Sequence, residues 1–292
     1  MKVDRRSLMK SLLAGGALLA MGTPPWTFAE SPVRRPSRCL LVLGGTGADG
    51  AFASGTGAAC AGQTYDALRI VKLKGGLFTG MDRMLTLLDQ ARGARMIAVM
   101  DDAGAVIFLE LARTAGVRLL SMGTHVCSAD SACPLRHAWA TTSPAHGVAG
   151  ILASQLAAGQ DGFSVTEDFL HAPIEPGPLS GWSAPGFSSY LSAESASVHL
   201  HGSGLSLAEG RRLIGLTAIE GWRPIPLKAC RRETVKRQSG DWIESVGYAV
   251  TASALGVDSV RESCASRAFV RRSPIGARTH PQERFVSFVM DL

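Results

Sequence analysis

The sequence predicts an α/β fold: an open, mainly parallel sheet with helices on both faces, Rossmann-like or periplasmic-binding-like, and a more irregular C-terminal half. Three observations predict it. Between residues 38 and 158, short apolar runs alternate with amphipathic stretches of helical length. Glycines stand just past two of those stretches, at Gly93 and Gly116, where a left-handed cap suits them. Runs such as ARMIAVM and GVRLLSM are apolar strands with helices on either side, the signature of βαβ units.

The elements follow in order. Strands are expected at 38–43, 68–73, 95–100, 117–121 and 136–141, and helices at 50–62, 80–92, 103–115 and 144–158. Ser143-Pro144 reads as an N-cap followed by proline at the first helical position. From His171 to Gly204 periodicity is lost, and prolines at 173, 176, 178 and 185 mark a connection, with SASVHLHG as a short strand. Ser206 and Glu209 form a capping box ahead of a helix over Arg211 to Glu220. A basic run follows at 231–237. GDWIESVGYAVTASALG then gives a helix with Ile243, Val246, Val250 and Ala254 on one face, ended by Gly256. RFVSFVMDL is apolar on both faces and reads as a buried strand. The expected organisation is a leader at 1–29, an α/β domain at 30–170, a connection at 171–204, and a C-terminal portion at 205–292 that can complete the same domain.

The leader sets the expected address. Met1 to Ala29 carries a basic start, an apolar stretch from Leu12 to Met21, and small residues at Thr27 and Ala29 suited to signal peptidase. Arg5-Arg6-Ser7-Leu8-Met9-Lys10 resembles the twin-arginine (Tat) export signal. It departs from that pattern at Asp4 and at Leu8, and an ordinary Sec signal is the competing reading. The resemblance implies a protein carried folded into the periplasm by the Tat machinery and then cleaved by signal peptidase. Four basic residues and one acidic residue lie in 1–29, so cleavage lowers the formal net charge from +6 to +3. That balance gives no support to nucleic-acid binding. No later apolar run is long enough to span a bilayer, so the mature form is expected to be soluble.

Six cysteines follow the leader: Cys39, Cys60, Cys127, Cys133, Cys230 and Cys264. In an oxidising compartment an even count allows three disulfides, and Cys127–Cys133 is the expected bridge because it closes a small loop. The competing use is metal ligation, since His125, Cys127, Cys133 and His137 lie close together. Their spacing matches no zinc pattern, and no metal is expected. His199 and His201 share one face of a strand, which is too few ligands for a metal site.

In an open parallel sheet, ligands bind beyond the carboxyl ends of the strands. That rule selects Asp101 and Asp102 after the third strand, Thr124 and His125 after the fourth, and Thr142, Ser143 and His146 after the fifth. The helix at Pro144 would aim free amides at the same crevice, where an anion could sit. Simpler roles compete: helix caps for the aspartates and Ser143, surface positions for His125, His137 and His146. Residues 82–158, with MIAVMDDAGAVIFLELARTAGVRLLSMGTH and RHAWATTSPAHGVAGILASQLA, resemble type I periplasmic binding proteins. That resemblance implies Asp102, Thr124, Thr142 and Ser143 in a ligand cleft.

Gly44, Gly45, Gly47 and Gly50 follow the first strand and resemble the glycine turn of short-chain-dehydrogenase-like proteins. The resemblance implies a dinucleotide, NADP-like because Lys72 and Lys74 stand where an acid would hold the ribose. No Tyr-x-x-x-Lys pair accompanies it. The chain contains no G-x-S-x-G, H-E-x-x-H, P-loop or C-x-x-C-H, and no catalytic residue is assigned. The leading expectation is therefore a periplasmic ligand-binding or accessory protein. The alternatives are an exported oxidoreductase with a dinucleotide on the Gly44–Gly50 loop, and an assembly partner of a periplasmic redox complex.

Overall fold

A computed structural model describes residues 38–61, 68–73, 75, 77, 81–128, 133–159, 161–171, 186–192, 198–216, 221–225, 241–257, 264–273 and 281–292. The leader with Arg5 and Arg6, Lys74, residues 172–185 of the proline-rich connection, the basic run 231–237 and Cys230 lie outside the described residues.

The first half forms β1 (Cys39–Leu43), α1 (Asp49–Cys60), β2 (Arg69–Lys72), α2 (Met81–Gln90), β3 (Arg95–Met100), α3 (Asp102–Thr114), β4 (Arg118–Cys127), β5 (Leu135–Thr141), α4 (Ala149–Ala157) and β6 (Phe163–Phe169). The second half adds β7 (Ser188–Ser192), β8 (Val198–Ser203), α5 (Leu207–Leu213), β9 (Trp222–Pro224), α6 (Trp242–Ala254), β10 (Ser266–Arg271) and β11 (Glu283–Asp291). The elements expected up to α3 fall within two residues of their predicted bounds. The capping box of Ser206 and Glu209 is formed, though its helix begins at Leu207 rather than Arg211. Strands β6, β7, β9 and β10 were not anticipated.

The eleven strands among the described residues join one sheet in the order β2-β1-β3-β11-β4-β5-β6-β10-β8-β7-β9. The expectation of a mainly parallel sheet is corrected here. Only β1–β2, β1–β3, β5–β6 and β8–β10 pair in parallel, and the other six pairings are antiparallel. Two features cause the change. The C-terminal strand β11, apolar on both faces, enters antiparallel between β3 and β4. β4 and β5 then pair antiparallel over seven positions, from Ser121–Thr141 to Cys127–Leu135. The fourth strand is thus twice the expected length.

Helices cover both faces. α1, α4 and α6 share one core cluster, while α2 and α3 cover the other face with Leu40, Val42, Ala98, Phe108 and Phe288. α5 packs beside them over β8 and β10. α6 is buried over ten of its thirteen residues, so it is apolar almost all round, as expected of an internal helix. It can lie against α1 only because both helices present glycine at the crossing. A Cβ on Gly55 would run into the Glu244 carbonyl and the Tyr248 amide, and one on Gly247 would meet the backbone of Phe52. Thr56 and Thr251 complete the contact with a hydroxyl hydrogen bond of 3.1 Å. The glycine-rich helix after the first strand is therefore shaped for a neighbouring helix.

The predicted helix over 144–158 is broken. Pro144–His146 form a 3-10 turn with no side-chain bond from Ser143, and α4 starts afresh at Ala149. The reason is Glu167. Its buried carboxylate accepts hydrogen bonds from the amides of Val148 and Ala149, the hydroxyl of Thr141 and the guanidinium of Arg267. Glu167, not Ser143, caps this helix.

Replacing Gly247 with alanine is expected to destabilise the protein by about 1–3 kcal/mol, the usual cost of overpacking. Gly57→Ala, where a Cβ meets nothing within 4 Å, should be neutral or stabilising. Urea melts of the two variants check the contrast.

Candidate functional site

The seven residues expected to line one crevice do not meet. β4 runs parallel to β3 but antiparallel to β5, so the carboxyl end of β5 lies at the opposite edge of the sheet from those of β1 and β3. Asp101 and Asp102 stand at one edge. Thr142, Ser143 and His146 stand at the other. Thr124 and His125 lie inside β4 and point to opposite faces, Thr124 beside Val286 and His125 beside Phe285. The predicted convergence fails because β4 runs on to Cys127 and β5 returns antiparallel to it, where the expected parallel sheet needs both strands to run the same way.

At the first edge the acids are already engaged. Asp101 caps α3 by accepting from the Gly104 amide at 2.6 Å. Asp102 pairs with Arg284 at 2.5 Å, on the exterior. The glycine turn is likewise filled from within. Asp49 accepts from the Gly45 amide at 2.9 Å, the Thr46 amide at 3.2 Å and the Thr46 hydroxyl at 2.7 Å. Gly44 is needed for the close approach of β3, and Gly45 adopts φ +87°. A Cβ on Gly47 would lie 3.1 Å from the Glu283 carboxylate, and Gly50 is open. Two carboxylates, Asp49 and Glu283, thus lie beside the turn, and Asp49 already accepts from two of its amides, which counts against reading it as a phosphate cradle.

At the second edge, Arg95 donates to the Ala254 carbonyl at the end of α6 and pairs with Asp291 at 2.7 Å; Arg118 binds the same carboxylate. His146 lies buried beside them, its carbonyl accepting from Ser253 Oγ at 2.8 Å. Burial, then the charge of Arg95, brings its pKa down to about 4.

The remaining residue, His125, leads to a buried constellation of imidazoles, a hydroxyl and aromatic rings. His125 Nε2 lies 2.8 Å from Ser287 Oγ, and its Nδ1 lies 3.1 Å from Nδ1 of His137. Both imidazoles are buried, and so is Ser287. Aromatic rings enclose them: Phe285 and Trp139 lie 4.7 and 4.8 Å from His125, and Trp242 lies 5.6 Å from His137. Gly123, opposite Trp139 in the ladder, leaves room for the indole. Two Nδ1 atoms facing each other require one N–H and one lone pair, so the pair cannot be doubly protonated. Burial drives His137 down to about 3, and burial with the charge of His137 drives His125 well below its ordinary value. Protons can be arranged two ways along Ser287–His125–His137, leaving His137 Nε2 as a donor in one and an acceptor in the other. His137 Nε2 and Trp139 Nε1 have no hydrogen-bond partner among the described residues.

The expected Cys127–Cys133 bridge is absent: the Cys133 thiol donates to the Arg271 carbonyl at 3.5 Å, and no disulfide joins the two cysteines. The sheet separates them. Cys127 belongs to the core beneath α1 and α6, while Cys133 packs with Leu200, Ala268 and Val270 on the other face. Among the described residues there is no cluster of three or more His, Cys, Asp or Glu side chains able to hold a metal, and no helix long and apolar enough to cross a membrane.

Sequence reasoning selected His125 but missed Ser287 and Trp139, and left His137 as a loop neighbour. A signal was present. In HVCSADSACPLRH the two histidines are equidistant from Ser131, so a hairpin centred there pairs them across the strands. No protein-family model, curated protein or solved structure matches the chain.

The depressed histidines set an acid limit on stability. Between pH 6.5 and about 4, the unfolded chain binds protons at His125, His137 and His146 that the folded state refuses. Stability should therefore fall as pH falls through that window, by roughly 1.4 kcal/mol per unit for each fully titrating histidine. Urea melts at stepped pH measure the slope, and His137→Phe should reduce it by about one proton.

Proposed function

We propose that the protein is an exported periplasmic binding protein for a small molecule, and that its polar contact point is the His137–Trp139 pair rather than the crevice at the strand ends. One observation carries this reading: two polar atoms, His137 Nε2 and Trp139 Nε1, sit buried within one aromatic cluster without a hydrogen-bond partner among the described residues. Buried polar groups are nearly always hydrogen-bonded, and an orphan costs about 1–3 kcal/mol. A ligand that supplies both partners recovers that cost on binding.

The surroundings favour a class of ligand. Burial alone depresses His137, and burial with the charge of His137 depresses His125, so no Lys, Arg, Asp or Glu side chain is among the causes. An anion would enter without a counter-charge, at a large desolvation cost. A neutral molecule with an aromatic or aliphatic body and one hydroxyl or amide suits Trp139, Trp242 and Phe285. The helix start favoured by the sequence, at Pro144, supplies no competing anion site, because Glu167 already accepts from the amides of Val148 and Ala149.

Phenol is a suitable probe and benzoate its charged control. In thermal-shift measurements on the full chain, phenol should raise Tm by a few degrees at saturating concentration. Benzoate should not, and His137→Phe should lose the phenol shift. A protein that carries no bound molecule in native mass spectra and shows no His137-dependent shift with either probe would overturn the reading.

Export rests on the leader. Replacing Arg5 and Arg6 together with lysine should leave the precursor in the cytoplasm, read by fractionation; undiminished export would assign the leader to the Sec route.

A further inference from the structure

Cys39 begins β1 and Cys60 ends α1. The five residues of β1 rise about 16 Å at the strand repeat, and the twelve of α1 return about 18 Å at the helical repeat. The helix, laid back over the strand, therefore brings its last residue level with the first residue of the strand. Cys60 extends the inward row of Phe52 and Thr56 at four-residue spacing. It packs against the core cluster that contains Cys39. Cys39 is buried, Cys60 is half-buried, and both thiols are free. Their proximity has an electrostatic signature: burial first, and then the charge of Cys60, push the Cys39 thiol up to about 12, against the opposing pull of Arg95. Arg95 is the register partner of Cys39 on β3.

We propose that Cys39 and Cys60 form an oxidisable dithiol site that closes to an internal disulfide when a disulfide oxidant reaches Cys60. The half-buried Cys60 is the entry point. Its thiolate attacks one sulfur of the oxidant, forming a mixed disulfide and releasing the first oxidant thiolate. Cys39 then gives up its proton to that thiolate or to water, and its sulfur attacks Cys60 Sγ. The mixed bond breaks and the second oxidant thiolate leaves. Two protein thiols lose two electrons and two protons, and one oxidant disulfide becomes two thiols. The closed bond ties the end of α1 to the start of β1, with the Gly44–Gly50 turn inside the loop. Unlike Cys127 and Cys133, both sulfurs belong to one face of the sheet. The raised Cys39 thiol makes the second step the slow one, since the thiolate is the nucleophile.

The full chain is incubated with oxidised glutathione and followed by intact mass and peptide mapping. A glutathione adduct on Cys60 is expected first, followed by loss of the adduct to a Cys39–Cys60 cross-linked peptide. The rate of that second step should rise about tenfold per pH unit through the neutral range. Cys39→Ser and Cys39→Ala should both stop at the stable adduct, and Cys60→Ser should show neither species. A wild-type adduct that never resolves, a cross-link that maps to another pair, or equal resolution in the Cys39 variants would overturn the proposal.

Discussion

The second half of the sheet depends on a buried ion pair. Glu167 and Arg267 are both fully inaccessible, with a nitrogen–oxygen distance of 2.8 Å. Removing one partner of such a pair typically costs about 3–5 kcal/mol, because the other charge is stranded in a low-dielectric interior. Here the pair also organises its neighbours. The carboxylate reaches Thr141 on β5 and the first amides of α4, while the guanidinium rises from β10 and lies 5.3 Å from the Phe169 ring. Gly147 has no side chain because a Cβ there would collide with that guanidinium. Three strands and a helix thus share one charge-neutral node, and the antiparallel β6–β10 pairing is held at the residues that carry it, Glu167 opposite Arg267.

The same device recurs at helix N-termini along the chain. Asp49, Asp101, Ser206 with Glu209, and Asp241 each accept from amides at the start of a helix or its preceding turn. Free amides with a helix dipole behind them are what make a helix start attractive to phosphate. Once an internal carboxylate occupies them, that attraction is spent. The glycine turn after β1 looks like a nucleotide site in one dimension, and in three its Gly45 and Thr46 amides are bound by Asp49. The imidazole chain of Ser287, His125 and His137 is buried among aromatic rings, and that burial opposes charge on either ring.

Much of the first half was legible. Strands β1, β2 and β3 and helices α1, α2 and α3 follow from apolar period, glycine caps and length, because each is a local pattern packed on both sides by similar layers. β4 was cut short at Ser121 because Gly123, Thr124 and His125 read as loop residues. Within the sheet, Gly123 accommodates the Trp139 indole and His125 hydrogen-bonds Ser287, so polar residues there are strand residues with distant partners. Local propensity carries no information about a partner more than a hundred residues away. The candidate site was legible only at His125, and the link to Ser287 required the placement of β11.

The sequence by itself determined the alternation of strands and helices, the capping box at Ser206, and the buried character of α6 and β11. Each depends on neighbours within a few turns of chain. Tertiary structure alone decided strand direction and partnership: β11 between β3 and β4, β5 reversed against β4, Cys127 and Cys133 on opposite faces, and Glu167 as the cap of α4. Those choices are set by which apolar faces bury together and which buried charges must meet, and both are properties of residues far apart in sequence.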